Sequence, residues 1–274
     1  MANSINVNVG AMVALQNLNA TNKALETTQN RVNTGLKVSS AKDNGAIFSI
    51  ATSQRAEMGA LDAVKNSIQR GRSVIDVALA AGDVVSQALE EQKALAVAIQ
   101  SSVAGSTQEA AYLKDFNALG DEITKAMAGA SFDSVNVYAA GSATNQLVVL
   151  TGTGTDASDS YSIHAAAAAA TTVATAGGAV LRAGATAAIV EGAITAFATK
   201  LAELGTFSKS LDRQLTFVGK LQDSVEAGIG NLVDADLAKE SAKLTALQTK
   251  QQLGVQALSI ANSSSSILLS LFQG

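Results

Sequence analysis

The chain has no cysteine, no proline and no tryptophan, and a single histidine. Without cysteine there can be no disulfide, no thiolate metal site and no Cys nucleophile. Without proline no helix interior is broken by a missing N–H or a ring clash, so very long helices are permitted though not required. Aromatic residues make up only 4% against 47% hydrophobic residues. The apolar content is therefore mostly Ala, Val, Leu and Ile, and Ala and Leu lose little rotamer freedom in a helix. There is no basic arm, and the formal net charge is −4 with a pI near 5.1. Nothing here would neutralise a phosphate backbone, so nucleic acid is not expected as a partner. The opening MANSINVNVG has no charged leader and no continuous apolar core, so it does not read as a signal peptide. The longest uncharged run of the middle, Ser160 to Leu181, is mostly Ala, Thr and Gly. It is too weakly apolar for membrane insertion to be expected.

What the chain does have is heptad-like spacing, with apolar steps of three and four residues. One stripe runs Leu15, Leu18, Asn22, Leu25, Gln29, Val32, Leu36. A second runs Leu61, Val64, Ile68, Gly71, Ile75, Ala78, Gly82, Val85, Leu89, Gln92, Ala96, Ile99, a helix of about 60 Å at a rise of 1.5 Å per residue. A shorter third has Leu113, Phe116, Leu119, Ile123 and Met127 on one face. The fourth runs Val190, Ile194, Phe197, Leu201, Leu204, Ser208, Leu211, Leu215, Val218, Gln222, Val225, Ile229, Leu232, roughly 65 Å. The phase then slips and restarts at Leu237, Leu244, Leu247, Leu258, Ala261, Leu268 and Phe272, as at a junction between helices. Asp234 and Asp236 sit at that slip and read as the N-cap and a first-turn acid of the final helix. Gly35 and Ser39–Gly45, SSAKDNG, make a matching break near the other end.

The middle changes period. Val135 and Val137 alternate, Gln146 to Leu150 reads as a strand, and Tyr161 and Ile163 alternate in another, with TGTGTDASDS as the hairpin connection. The low-complexity stretch that begins at His164 reads as irregular or weakly helical surface.

Charge is missing from both ends. The first ionisable side chain is Lys23 and the last is Lys250. Beyond them lie Asn, Gln, Ser, Ala and Leu. Surface helices normally carry Lys and Glu on the exposed face. Helices that avoid charge but keep amides and hydroxyls suit burial on most sides, because an unpaired buried charge costs several kcal/mol whereas a buried amide can be satisfied by a neighbour. One chain cannot readily bury both of its own ends on all sides. Many copies around an axis can. The alternative is a plain two-helix hairpin with uncharged surfaces.

These residues also carry a resemblance. Ile5 to Ala51, and above all RVNTGLKVSSAKDN (Arg31 to Asn44), resembles the amino-terminal signature of bacterial flagellins. Val233 to Gln273, with LGVQALSIAN and the closing ILLSLF, resembles the carboxy-terminal signature. Both are present, in order and at the proper ends; either alone would also fit hook-associated relatives. There are departures. Ser263 to Ser266 stand where many relatives carry Gln and Pro, and Lys93 and Ala94 stand where an Arg-Glu pair is common. That helix face is a target of innate immune sensing in some flagellins, and the departure leaves such recognition out of what the resemblance implies.

The resemblance implies a filament subunit serving swimming motility, outside the cell, with other copies of the chain as its main partner. It implies delivery by the flagellar export apparatus, an export chaperone holding the carboxy-terminal helix, and hook-associated and cap proteins as neighbours. It also implies that the terminal helices pair as an inner domain lining the filament channel. The large outer domains of longer flagellins have no counterpart here.

Sharper chemistry is weak. His164 has no carboxylate pair or nucleophile context. Gly152, Gly154 and Ala157 imitate a dinucleotide fingerprint, but a strand rather than a helix follows. Glu90 and Glu91, or Asp121 and Glu122, are adjacent and point to different parts of a helix surface, which suits solvated charge. No catalytic residue, metal or cofactor is expected. The expected fold is mainly α: an elongated antiparallel bundle or coiled-coil rod with a small β-hairpin element at about 132–165. The expected domains are an inner one from 1–44 and 235–274 and a rod one from 45–234. Inner packing is assigned to Leu15, Leu18, Leu25, Val32, Leu237, Leu244, Leu247, Leu258, Leu268 and Phe272. The rod core is assigned to Leu61, Val64, Ile68, Ile75, Val85, Leu89, Ile194, Phe197, Leu201, Leu204, Leu211, Leu215, Val218, Val225 and Ile229. The alternatives are a hook–filament junction protein or a soluble secreted helical binder.

Overall fold

A computed structural model describes residues 8–138, 147–154, 160–163 and 181–272, the side chains of 162–163 and 264–272 excepted. The expectations for His164, Ala157 and the Ala/Thr-rich stretch, and for the side chains of Leu268 and Phe272, lie outside the described residues. The expected class is what the structure has: mainly helix, with small β elements. The helices are α1 (Val9–Thr34), α2 (Gly45–Ser101), α3 (Thr107–Gly129), α4 (Ala187–Val233) and α5 (Leu237–Phe272). The strands form two antiparallel hairpins rather than one: β1 (Ser131–Phe132) with β2 (Val135–Asn136), and β3 (Leu147–Leu150) with β4 (Ser160–Ile163). The chain divides into two compact units, 1–56 with 224–274 and 57–223. The sequence reading put these boundaries at the loops, 44/45 and 234/235. These two units are bounded within α2 and α4.

In the first unit α1 and α5 pair. Asn8 Nδ2 donates to the Ala261 carbonyl at 2.8 Å, Gln251 Nε2 to Asn22 Oδ1 at 2.8 Å, and Arg31 Nη1 to Glu240 Oε1 at 3.2 Å. As one helix advances the other recedes, so the pair is antiparallel. Asn8 caps α1 by accepting from the Ala11 N–H. Gly35 ends it at φ 72°, its N–H donating to the Arg31 carbonyl at 2.9 Å. This left-handed C-cap is one that glycine takes without a Cβ penalty. The segment after α1 and the one before α5 then clasp as a short antiparallel bridge: Lys37 N–H donates to Val233 O at 2.6 Å, and Ala235 N–H to Gly35 O at 2.8 Å.

SSAKDNG is an ordered turn. The Asp43 carboxylate accepts from the N–H and hydroxyl of both Ser39 and Ser40. Hydrogen bonds from Ser40 and Ser39 hold its pKa below the ordinary 3.8. Asn44 caps α2 by accepting from the Ala46 and Ile47 N–H groups. At α5 the cap is Asp236, accepting from Lys239 N–H at 3.1 Å. Asp234, expected to cap, instead sits in the bridge opposite Leu36. The bridge delays the helix by two residues and hands the cap to the second aspartate.

In the second unit the core is built from the stripes. Leu61, Val64, Ile68, Ile75, Val85 and Leu89 of α2 are buried, as are Phe116, Ile123 and Met127 of α3 and Phe197, Leu204, Leu211 and Val218 of α4. Ile194, Leu201 and Leu215 pack against them half-buried. Val225 and Ile229, assigned to the same core, lie past residue 223 in the first unit. The β3–β4 hairpin lays its inward residues, Leu147 and Val149, into this core and leaves Val148 and Leu150 exposed, the period-two alternation of a half-buried strand. It is tied to α2 and α4 by Leu150 N–H to Ser67 Oγ and Gln214 Nε2 to Thr151 O. The β1–β2 hairpin turns through Asp133 and Ser134, both at positive φ, the geometry of a type I′ turn. Its Asn136 amide donates to the Met127 and Ala128 carbonyls at the end of α3.

Two glycines in the α2 stripe mark where other elements press in. A Cβ at Gly71 would lie 2.3 Å from Val149 Cγ2, and one at Gly82 would lie 2.3 Å from Leu201 Cδ2 and 3.0 Å from the Tyr138 hydroxyl. That hydroxyl donates to Ala78 O at 2.6 Å while its ring stacks on Phe197. Burial, with Asp83 nearby, pushes its pKa up to about 12.

The α2–α3 turn is held by one buried acid. Glu109 donates its own N–H to the N-cap Ser106 Oγ, and its carboxylate accepts from Gly105 N–H, a variant of the capping box displaced by one residue from the cap's own N–H. Arg182 completes the site, donating to Glu109 Oε1 at 2.9 Å and to the Ser102 and Gln100 carbonyls. The Gly105 N–H and the Arg182 guanidinium hold the Glu109 pKa below its ordinary 4.5.

Two outcomes follow. In urea denaturation, Gly82→Ala should lower stability by roughly 1–3 kcal/mol through overpacking. Gly59→Ala, where an added Cβ meets nothing within 4 Å, should raise it by about 0.5–1 kcal/mol. Because the folded Glu109 is depressed, its contribution is complete above the unfolded value and fades as pH falls through the folded one. Thermal melts should therefore show Glu109→Gln below wild type at pH 7, with the gap closing as pH drops below the carboxylate range. A gap that persists unchanged at pH 2 would assign the loss to packing.

Candidate functional site

Among the described residues there is no group of three or more His, Asp or Glu placed to hold a metal ion, and no helix long and apolar enough to cross a membrane. The features that set this chain apart are surfaces, and the first is the α1–α5 pair.

Two helices can each bury only the side turned to the other. On α1 that side is occupied by Thr21 and Thr28, which are buried, with Leu18, Leu25 and Val32 half-buried beside them. On α5 Leu244, Leu247 and Leu258 are half-buried. Gly254 lets the helices close up, since a Cβ there would come within 3.2 Å of Leu18. Two of the residues assigned to inner packing are left uncovered by the partner helix: Leu15 is 48% exposed and Leu237 51% exposed. The sequence pattern identified an apolar stripe but not which part of it the partner helix covers. It also missed the outer faces, where Val9, Met12 and Val13 on α1 and Leu253, Val255 and Ile260 on α5 are exposed. Ile260 is exposed to 71%. The signal was available in the same place, since these residues fall in the segments without charge outside Lys23 and Lys250.

At the other end of the pair the chemistry reverses. Arg31 and Glu240 form a half-buried ion pair, with Lys243 Nζ 3.9 Å from the second carboxylate oxygen. Lys37, Asp234, Asp236 and Lys239 complete the walls of a cleft of about 460 Å³. Four cations and three carboxylates are mixed around it, so most of the charge is compensated locally.

Here the chain can be set beside known proteins. The bacterial flagellin N-terminal helical region matches residues 5–143, and the C-terminal helical region matches residues 187–272. The chain belongs to the bacterial flagellin family. It is 52% identical over 276 residues to flagellin FljK of Caulobacter vibrioides and 49% identical over 286 residues to flagellin FljM of the same organism, each match covering 99% of both chains. A flagellin of Brucella melitensis is 37% identical over 289 residues, again with 99% of both chains covered. Flagellins are structural subunits of the flagellar filament, and the full-length similarity to named flagellins places this chain with the filament subunits rather than with junction proteins. A family of structural proteins also points away from enzyme activity. At 274 residues the chain is a short flagellin without a large variable domain.

Proposed function

We propose that α1 and α5 are the segments that enter the filament interior, and that they complete their folding only on assembly. The observation that carries this reading is the uncharged outer faces of the pair, with Val9, Met12, Val13, Leu15, Leu253, Val255 and Ile260 exposed in the single chain. A filament would cover those faces with other copies. Each Val, Leu or Ile so covered would contribute roughly 1.5–3 kcal/mol, against the cost of ordering the segment. In this reading residues 1–44 and 235–274 form the inner domain and residues 45–234 the surrounding one. Leu15 and Leu237 contact neighbouring copies, while Leu18, Leu25, Val32, Leu244, Leu247 and Leu258 hold the pair itself together.

The finer surroundings belong to the same proposal. The subunit would pass through the flagellar export apparatus before its ends are buried. An export chaperone would shield the apolar outer face of α5, and hook-associated and cap proteins would bound the polymer outside the cell. No part of this needs a catalytic residue or a cofactor.

The experiment is seeded growth of filaments from purified monomer, followed by electron microscopy and sedimentation. Wild type should extend seeds into long uniform filaments. Ile260→Lys should stop extension while leaving the helical circular dichroism of the monomer unchanged, because the residue is exposed there and a charge would be buried only in the polymer. Leu258→Lys should also stop it, with some loss of the α1–α5 pair. Amides of α1 and α5 should exchange quickly in the monomer and slowly in the filament. Normal extension by Ile260→Lys would remove the buried-terminus reading.

A further inference from the structure

The second unit carries two exposed surfaces of opposite character. Between α2 and α3 runs an open groove of about 490 Å³. Its floor is apolar, with Leu95 and Leu119 half-buried, and its rim carries three exposed carboxylates, Glu91, Asp115 and Glu122. Among the described residues no basic side chain lines it. The three carboxylates make no ion pair among the described residues, and Lys93, two positions along from Glu91, is already paired with Glu191.

On α4, Lys209, Arg213, Phe217 and Lys220 are all exposed, Phe217 to 57%. Their spacing of four, four and three residues puts them in one stripe on the helix surface. The three cations make no ion pair among the described residues, and the stripe holds no carboxylate. Among the described residues nothing covers this phenylalanine, which stands exposed between three cations that make no ion pair there.

The two surfaces complement each other. One is an apolar trough edged with three negative charges. The other is an aromatic ridge edged with three positive charges, and both extend over two to three helical turns. They belong to different helices of the same unit, and among the described residues no ion pair joins them within one copy. We propose that the stripe of one copy docks in the groove of the next, with Phe217 over Leu95 and Leu119 and the cations facing Glu91, Asp115 and Glu122. A contact between two different patches of identical subunits is heterologous, and where its rotation does not close it generates an open polymer. The proposal rests on the filament reading above and names one contact that builds the filament. Charges of this kind chiefly set register and the rate of productive encounter, while the buried aromatic supplies adhesion.

The test is seeded elongation with three charge-reversed chains. The groove variant is Glu91→Lys with Asp115→Lys and Glu122→Lys. The stripe variant is Lys209→Glu with Arg213→Glu and Lys220→Glu. The third carries all six. All positions are exposed, and circular dichroism checks that each monomer keeps its helices. Each triple variant should elongate about tenfold or more slowly than wild type, because like charges then face each other. The six-fold variant should recover most of that loss. If the six-fold chain fails to fold, an equimolar mixture of the two triple variants is the substitute: it offers two compatible pairings, and it should grow filaments that neither triple variant grows alone. Triple variants that elongate at the wild-type rate overturn the contact. So does a folded six-fold variant, or failing it the mixture, that remains as slow as the triples. Wild type that fails to extend seeds at all would instead count against the filament reading itself.

Discussion

An antiparallel pair of helices has two inner faces and a great deal of outer surface, and the rest of this molecule follows from that geometry. Before Lys23 on α1 and after Lys250 on α5 the outer surface is apolar or uncharged, and there the pair is only half covered by its own chain. Water tolerates that arrangement poorly, since exposed aliphatic area is a standing cost. The composition limits the cost without removing the means of assembly. Asn, Gln, Ser and Thr keep the ends soluble, and unlike Lys or Glu they can later be buried against one another at little electrostatic penalty. The absence of charge beyond Lys23 and Lys250 and the exposed Val, Met, Leu and Ile are thus two sides of one requirement.

The ionic residues return where the pair meets its loops. Arg31 and Glu240 join α1 to α5 one or two turns from the breaks, and the bridge of Lys37 to Val233 and Ala235 to Gly35 fixes the two chain segments side by side. Asp43 and Asn44 order the following turn and start α2. This end is therefore specified by directional bonds that a single copy can make for itself. In the proposed filament the far end of the pair would be covered by area that only other copies can supply. The monomer would then hold its register before assembly, and assembly would order the tips of the helices.

The helical stripes were legible because period and burial coincide: Leu61 through Leu89 and Phe197 through Val218 recur at the spacing of one helix face, and that face is the core. What was not legible is what lies against a stripe. Gly71 and Gly82 counted only as gaps in the α2 pattern, yet they are where Val149, Tyr138 and Leu201 enter, from 56 to 119 positions further along the chain. Leu15 and Leu237 looked identical to Leu18 and Leu244, and only the width of the partner helix separates them. Asp234 and Asp236 were both read as acids at the start of α5, but only Asp236 caps it, because a backbone bridge from Asp234 to Leu36 cannot be seen in a local pattern. Glu91 and Glu122 were read, each beside its sequence neighbour, as solvated charge, and Asp115 was not singled out. Their meaning as a rim depends on Glu91 of α2 facing Asp115 and Glu122 of α3 across a trough.

A protein that must polymerise without limit meets a constraint that a dimer does not. A self-complementary patch closes after two copies and is then used up. Continued growth requires two different patches, each satisfied only by the other, on every copy. It also requires that the patches not satisfy each other within one copy. The groove between α2 and α3 and the stripe on α4 are two such patches, carboxylates lining one and ammonium and guanidinium groups the other, and among the described residues no ion pair joins them within one copy. The uncharged tips of α1 and α5 cannot provide this discrimination. Aliphatic surfaces adhere with little regard to register, whereas a like-charge mismatch costs several kcal/mol. The chain thus separates its two tasks by chemistry: ionic complementarity in the second unit can select the position of the next subunit, and apolar burial in the first can then hold it there.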